Sequence, residues 1–151
     1  MRNIMRPKRL LVTAVATVAI AACTVESDIS EAIGVLARNA PDAVVRLDQA
    51  APFAWDHVVF FTPYAPRDAV CTTLALGPGE CMRMVTYESI DDGDMTLAFV
   101  HRGALVRYVR HRRRNGDFLP LAHGTTIARA DARFRTGASG RKLVLERPVS
   151  R

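Results

Sequence analysis

Apolar and polar residues alternate along this chain with two different periods. From Asp28, the residues Ile29, Ala32, Ile33, Leu36 and Ala37 recur at three- and four-residue steps and form one apolar stripe, which predicts a helix over 28–39. Ser27 or Asp28 can cap it, Glu31 completes a capping box, and Asn39-Ala40-Pro41 stops it. Val44-Val45-Arg46-Leu47 predicts a short edge strand. Phe53, Trp55 and the run Val58-Val59-Phe60-Phe61, bounded by prolines, predict a strand buried on both faces and the centre of the core. Pro66 suits the first position of a second helix, with Val70, Thr73 and Leu74 on its apolar side and Gly77-Pro78-Gly79 at its end.

Beyond residue 81 the pattern becomes one of strands and turns. Strands are expected over 82–89, 95–100 and 104–111, with Val106 and Tyr108 on one face of the last. Asp91-Asp92-Gly93-Asp94 and His101-Arg102-Gly103 read as the intervening turns, and Asn115-Gly116 as a hairpin signal. From 127 to 135, Ala128, Ala130, Ala132 and Phe134 alternate with Arg129, Asp131, Arg133 and Arg135, which predicts one half-buried strand, followed by a last strand over 142–146. The fold class is therefore α+β: two helices packed on a mainly antiparallel β-sheet in a single small domain, with the helices on one face.

The first 23 residues follow another pattern. Arg2, Arg6, Lys8 and Arg9 precede an apolar run from Leu10 to Ala22, and no acidic residue occurs before Glu26. The run is shorter than the roughly 20 residues a membrane-crossing helix needs, and its basic start and small-residue end are those of a secretion signal. Ile20-Ala21-Ala22-Cys23 resembles the lipobox of bacterial lipoproteins. That resemblance implies cleavage before Cys23, a diacylglycerol thioether on its sulfur and acylation of the new amino group. The expected organisation is a signal peptide over 1–22, the lipidated cysteine and a short connector over 23–27, and the domain over 28–151. Thr24, in place of an aspartate, resembles the pattern of lipoproteins sent to the outer membrane, which implies a position on its periplasmic face. Farther on, the stretch from Phe53 to Pro66 with its Trp55-Asp56 strand and Pro63-Tyr64-Ala65-Pro66 turn, together with Asp117-Phe118, resembles small bacterial lipoproteins that carry no assigned activity.

These assignments change the meaning of the composition. The chain carries 21 basic and 15 acidic residues; without residues 1–22 the balance is 17 to 15, or +2, which removes the case for nucleic acid as a partner. Of the three cysteines, Cys71 and Cys81 remain as a pair in an oxidising compartment, so a disulfide is expected, worth about 2.5–3 kcal/mol in the chain-entropy picture. No zinc spacing surrounds them.

Candidate chemistry is sparse. Arg107, Arg110, Arg112, Arg113 and Arg114 form a dense basic stretch suited to anionic headgroups or an acidic protein, or simply to a solvated turn that protects a sheet edge. Asp91, Asp92 and Asp94 invite a calcium reading, but no glutamate closes a twelve-residue loop, so no metal or cofactor is expected. Asp56 and His57 are strand neighbours that point to opposite faces. The four histidines are scattered, and there is no nucleophile elbow, Ser-x-x-Lys or phosphate-binding glycine loop. The expectation is a non-enzymatic, lipid-anchored protein that meets the membrane through its lipid and binds an envelope protein or an anionic envelope component. The alternative is a small cell-wall hydrolase using Asp56, Asp117 or His123 as acid–base groups.

Overall fold

The computed structural model describes residues 25–39, 43–139 and 141–146; the expected signal peptide, Cys23 and Thr24 lie outside them. In chain order the elements are α1 (Val25–Asn39), β1 (Val44–Arg46), α2 (Leu47–Ala50), β2 (His57–Phe61), α3 (Arg67–Thr73), α4 (Pro78–Met84), β3 (Asp94–His101), β4 (Ala104–Arg112), β5 (Thr125–Ala128), β6 (Arg133–Thr136) and β7 (Leu143–Leu145). The class is α+β, but the strands form two antiparallel sheets rather than one: a four-stranded sheet ordered β4-β3-β2-β5 and a three-stranded sheet ordered β1-β6-β7.

The fold is organised around β2, where Val58, Val59, Phe60 and Phe61 are all buried. Because side chains alternate across a strand, Val58 and Phe60 enter one core and Val59 and Phe61 another. Each such side chain contributes about 1.5–3 kcal/mol on burial, which favours placing this strand between two neighbours and under cover on both sides. In the larger core, Val58, Phe60, Leu97, Phe99 and Val109 meet Ile29, Ile33 and Ala37 of α1 and the inner face of the small sheet, including Val45, Phe134 and Leu143. Phe118 links the layers, with ring centroids 5.1 Å from Phe60 and 4.7 Å from Phe134. In the smaller core, Val59, Phe61, Ala98, Leu105 and Tyr108 pack against Val70 and Cys71 of α3, and against Val85 just past α4. Helices therefore cover both faces of the four-stranded sheet, not one, because β2 and β3 carry apolar residues on both sides.

Three other expectations change. Residues 82–89 form no strand: Pro78 opens α4 in the first helical turn behind Gly77, and the helix runs to Met84 before an irregular stretch. The alternation over 127–135 is not one strand. A 3-10 turn at Arg129–Asp131 separates β5 from β6, which belong to different sheets. Ile127 is buried on one side of that turn and Ala132 and Phe134 on the other, while Ala128 and Ala130 are exposed. The helix also starts at Val25 rather than 28, inside the stretch expected as a connector.

A bulge changes the facing of β4. Phe99 pairs with Arg107 but Val100 with Leu105, leaving Val106 extra. As a result Leu105 joins Tyr108 in the smaller core, and Val106 packs against the larger one instead of sharing a face with Tyr108. Asn115-Gly116 makes no hairpin either. Asn115 ends a 3-10 turn, and Gly116, at φ 139°, passes so close to the small sheet that a Cβ there would lie 2.5 Å from Leu143 Cδ1.

Candidate functional site

The five arginines of the basic stretch do not form one patch. On β4, Arg110 faces the smaller-core side and Arg107 the other, as alternation requires. Arg110 is committed to Asp94: its Nε donates at 2.7 Å, its Nη2 is paired with the same carboxylate, and the guanidinium lies 4.5 Å from the Tyr87 ring centroid. Tyr87 donates its hydroxyl to Asp94 at 2.8 Å. Burial alone would raise the Asp94 carboxyl, but the bonds from Arg110 and Tyr87 outweigh it and hold the group below the usual carboxylate range. Burial and the neighbouring carboxylate push the Tyr87 phenol up to about 12. Arg113 is equally committed, as a fork on Asp117 at 3.0 and 2.8 Å. Burial acts to raise the Asp117 carboxyl, and the Arg113 pair and the Leu119 amide overcome it. Arg112 and Arg114 remain exposed.

The acidic turn is spent on structure in the same way. The Gly93 amide donates to Asp91 Oδ1 at 2.7 Å, the Asp92 carbonyl accepts from Arg113, and Asp94 is held as described. No group of three or more metal-ligating side chains occurs among the described residues.

Asp56 closes the β3–β4 turn. Its carboxylate accepts from the Arg102 amide at 2.5 Å and lies 3.1 Å from His101 Nδ1. The turn needs that support because Arg102 and Gly103 both have positive φ, 50° and 78°. The Arg102 amide, ahead of the His101 ring, holds the Asp56 carboxyl below its ordinary range. Trp55 beside it donates to the Ala51 carbonyl at 2.9 Å and packs edge-on against Phe99. The Trp-Asp pair thus locks the entrance of β2 to the hairpin. Asp56 sits by His101 and Asp117 by the Asp94 end of β3, seven residues away, a strand length of roughly 23 Å. His123 packs on Phe61. The three residues of the hydrolase alternative are therefore not brought together.

His111 is buried in a polar network that ties α1 to β4. Its Nε2 donates to the Gly116 carbonyl at 2.7 Å, so Nδ1 accepts from the Ser30 hydroxyl at 3.1 Å. Ser30 Oγ in turn accepts from the Arg112 amide at 3.1 Å and from Asn115 Nδ2 at 3.2 Å. Every polar atom here has a partner, and the ring is neutral: burial pushes its pKa down to about 4.

The disulfide is formed between Cys71 and Cys81, with Cα atoms 5.6 Å apart. It joins α3 to α4, where the sequence reading expected a helix joined to a strand.

What sequence reasoning missed is a groove on the α1 side of the molecule. It has a volume of about 550 Å³ and is lined by Ile29 and Ala32 of α1, by Gln49, Ala50, Pro52 and Phe53 around α2, and by Arg107 of β4. Arg107 is its one charged wall. The guanidinium lies 5.5 Å from the Phe53 ring centroid and donates to the Val106 carbonyl at 3.1 Å; among the described residues it has no carboxylate partner. Three segments far apart in the chain make the groove, so no local spacing announces it. The only hint was the apolar stripe of α1 and the Pro52-Phe53 pair. No protein-family model, curated protein or solved structure matches the chain.

Proposed function

We propose that this chain is a lipid-anchored protein of the bacterial cell envelope, held at the periplasmic face of the outer membrane, that acts by binding an envelope protein or an anionic envelope component. The observation that carries the reading is the junction at Cys23. A basic start, an apolar run and Ile20-Ala21-Ala22-Cys23 lead to α1 with only Thr24 between, so a lipid on Cys23 sets the domain directly against a membrane surface. Acyl chains contribute about 0.8 kcal/mol per buried methylene, and two or more of them give lasting attachment. The Cys71–Cys81 bridge is of the kind an oxidising compartment maintains. No described helix is long and apolar enough to cross a membrane, so attachment in this reading falls to the lipid. Binding is favoured over catalysis because Asp56 and Asp117 are already engaged in turn and ion-pair contacts.

Mass spectrometry of the native amino-terminal peptide, with fatty-acid labelling of cells making the wild type and Cys23→Ser, tests this. The expected result is an acylated chain beginning at Cys23, with label lost in the variant. An acyl-free protein that begins at Met1 and fractionates with the cytosol overturns the reading.

A further inference from the structure

We propose that the groove between α1, α2 and β4 binds a membrane phospholipid, with an acyl chain along Ile29, Ala32, Ala50 and Phe53 and the headgroup phosphate on Arg107. This rests on the anchoring reading above for the source of the lipid. It goes further in assigning a ligand and a residue to a particular surface.

Three features converge on that occupant. The walls are apolar except for Gln49 and Arg107, and the volume of about 550 Å³ falls within the usual range for small-molecule sites. A ligand filling it needs an apolar body with a single anionic end. Arg107 is already oriented by its contact with Phe53 and its bond to the Val106 carbonyl, and it carries no carboxylate among the described residues, so its remaining N–H groups can take a phosphate. The other arginines of β4 and its turn that are paired, Arg110 and Arg113, have their charge met internally.

With the anchor at Cys23, the groove also lies within reach of the membrane. Ile29 on its wall is four helical residues beyond Val25, about 6 Å along the axis, and Cys23 is two residues earlier, so the two α-carbons lie within about 13 Å. An acyl chain spans half of a hydrocarbon core of roughly 30 Å, about 15 Å. A lipid from the leaflet holding the anchor therefore reaches the groove without the domain leaving the surface.

Trp55, the only tryptophan, reports on this site from beneath: its indole bonds the Ala51 carbonyl beside Ala50, and it shares Phe99 with Phe53. The full-length protein, purified from membranes, is added to vesicles of phosphatidylglycerol with brominated acyl chains, and flotation and Trp55 fluorescence are read together. A parallel titration uses monomeric short-chain brominated phosphatidylglycerol, which needs no anchor, alongside a brominated diacylglycerol without phosphate. The expected result is saturable quenching by the phospholipid in both formats. Ala32→Glu, which places a carboxylate in the groove on a helix that tolerates it, should weaken binding at least about tenfold. Arg107→Gln should cost about tenfold for phosphatidylglycerol and leave the diacylglycerol unchanged. Far-ultraviolet circular dichroism matching wild type certifies that both variants are folded.

Flotation without quenching overturns the proposal and leaves the anchor standing. Failure to float overturns the anchor, and the monomeric lipid then decides the groove alone. Quenching that is indifferent to both substitutions also overturns the proposal.

Discussion

Changing His111 to glutamine separates the cost of keeping an imidazole neutral inside the protein from every other effect of acid. In the folded chain the ring takes up a proton only at about pH 4, because burial opposes the charged form more strongly than the Gly116 carbonyl and the charges of Asp117 and Asp94 favour it. In the unfolded chain it does so near the ordinary value of about 6.5. Between these two values the unfolded state holds more protons, so stability rises with pH there and falls as the solution is acidified. The difference of about 2.5 pH units corresponds to about 3 kcal/mol, fully present above pH 6.5 and lost by pH 4. Urea unfolding of wild type and His111→Gln at pH 7.5, 6.5, 5.5 and 4.5 measures it. At pH 7.5 the variant should be weaker by about 1–3 kcal/mol, having lost ring packing against Phe118, 5.1 Å away, and the optimal geometry toward Ser30 and Gly116. As pH falls, wild type should lose about 3 kcal/mol more than the variant, and the two curves should converge. The carboxylates held below their ordinary range, such as Asp94 and Asp117, release their share of stability at lower pH and do so in both proteins. Parallel curves with equal slopes from pH 6.5 to 4.5 would falsify the assignment of a neutral, desolvated His111.

The remaining predictions use the same unfolding measurements. Gly116→Ala should cost about 2 kcal/mol or more, since its Cβ would meet Leu143 in a closed core at a φ of 139°; a change under about 0.5 kcal/mol would contradict the close approach. Reducing Cys71–Cys81, or replacing both with alanine, should cost about 2.5–3 kcal/mol for a separation of ten residues, read as a shift of the midpoint with and without reductant. Arg110→Ala, which strips the nearly buried Asp94 of its cation, should cost about 2–3 kcal/mol, whereas Arg112→Ala and Arg114→Ala should stay within about 0.5 kcal/mol. Equal effects at all three positions would mean that the arginines act as one surface rather than as paired and exposed groups.

The parts of the fold legible in the sequence are those in which a local period meets a single buried face. The stripe from Ile29 to Ala37 gave α1, and the unbroken run Val58–Phe61 gave the strand buried on both sides. The cysteine pair was legible because a separation of ten residues, broken at Gly77-Pro78, allows the ends to meet. What failed were long-range decisions. Residues 127–135 alternate in composition, but whether they continue or break depends on two separate sheets competing for them, with Ile127 carried into the larger core by the four-stranded sheet and Phe134 by the three-stranded one. The basic stretch looked continuous because spacing along the chain says nothing about Asp94, which arrives from the neighbouring strand to neutralise Arg110, nor that the 3-10 turn after β4 brings Asp117 back onto Arg113 four residues before it. The groove was hidden for the same reason, since its walls come from residues 29–32, 49–53 and 107.

The single crosslink lies entirely on one side of the central sheet, where α3 and α4 are short and their packing is supplied by a handful of residues. The molecule is therefore unevenly hardened. In a reducing environment, amides of residues 67–85 should exchange with solvent well before those of β2 and β3, which are also held by the larger core. A chain still awaiting oxidation would carry a sound half and a soft half, and closing one sulfur–sulfur bond would finish the second without disturbing the first.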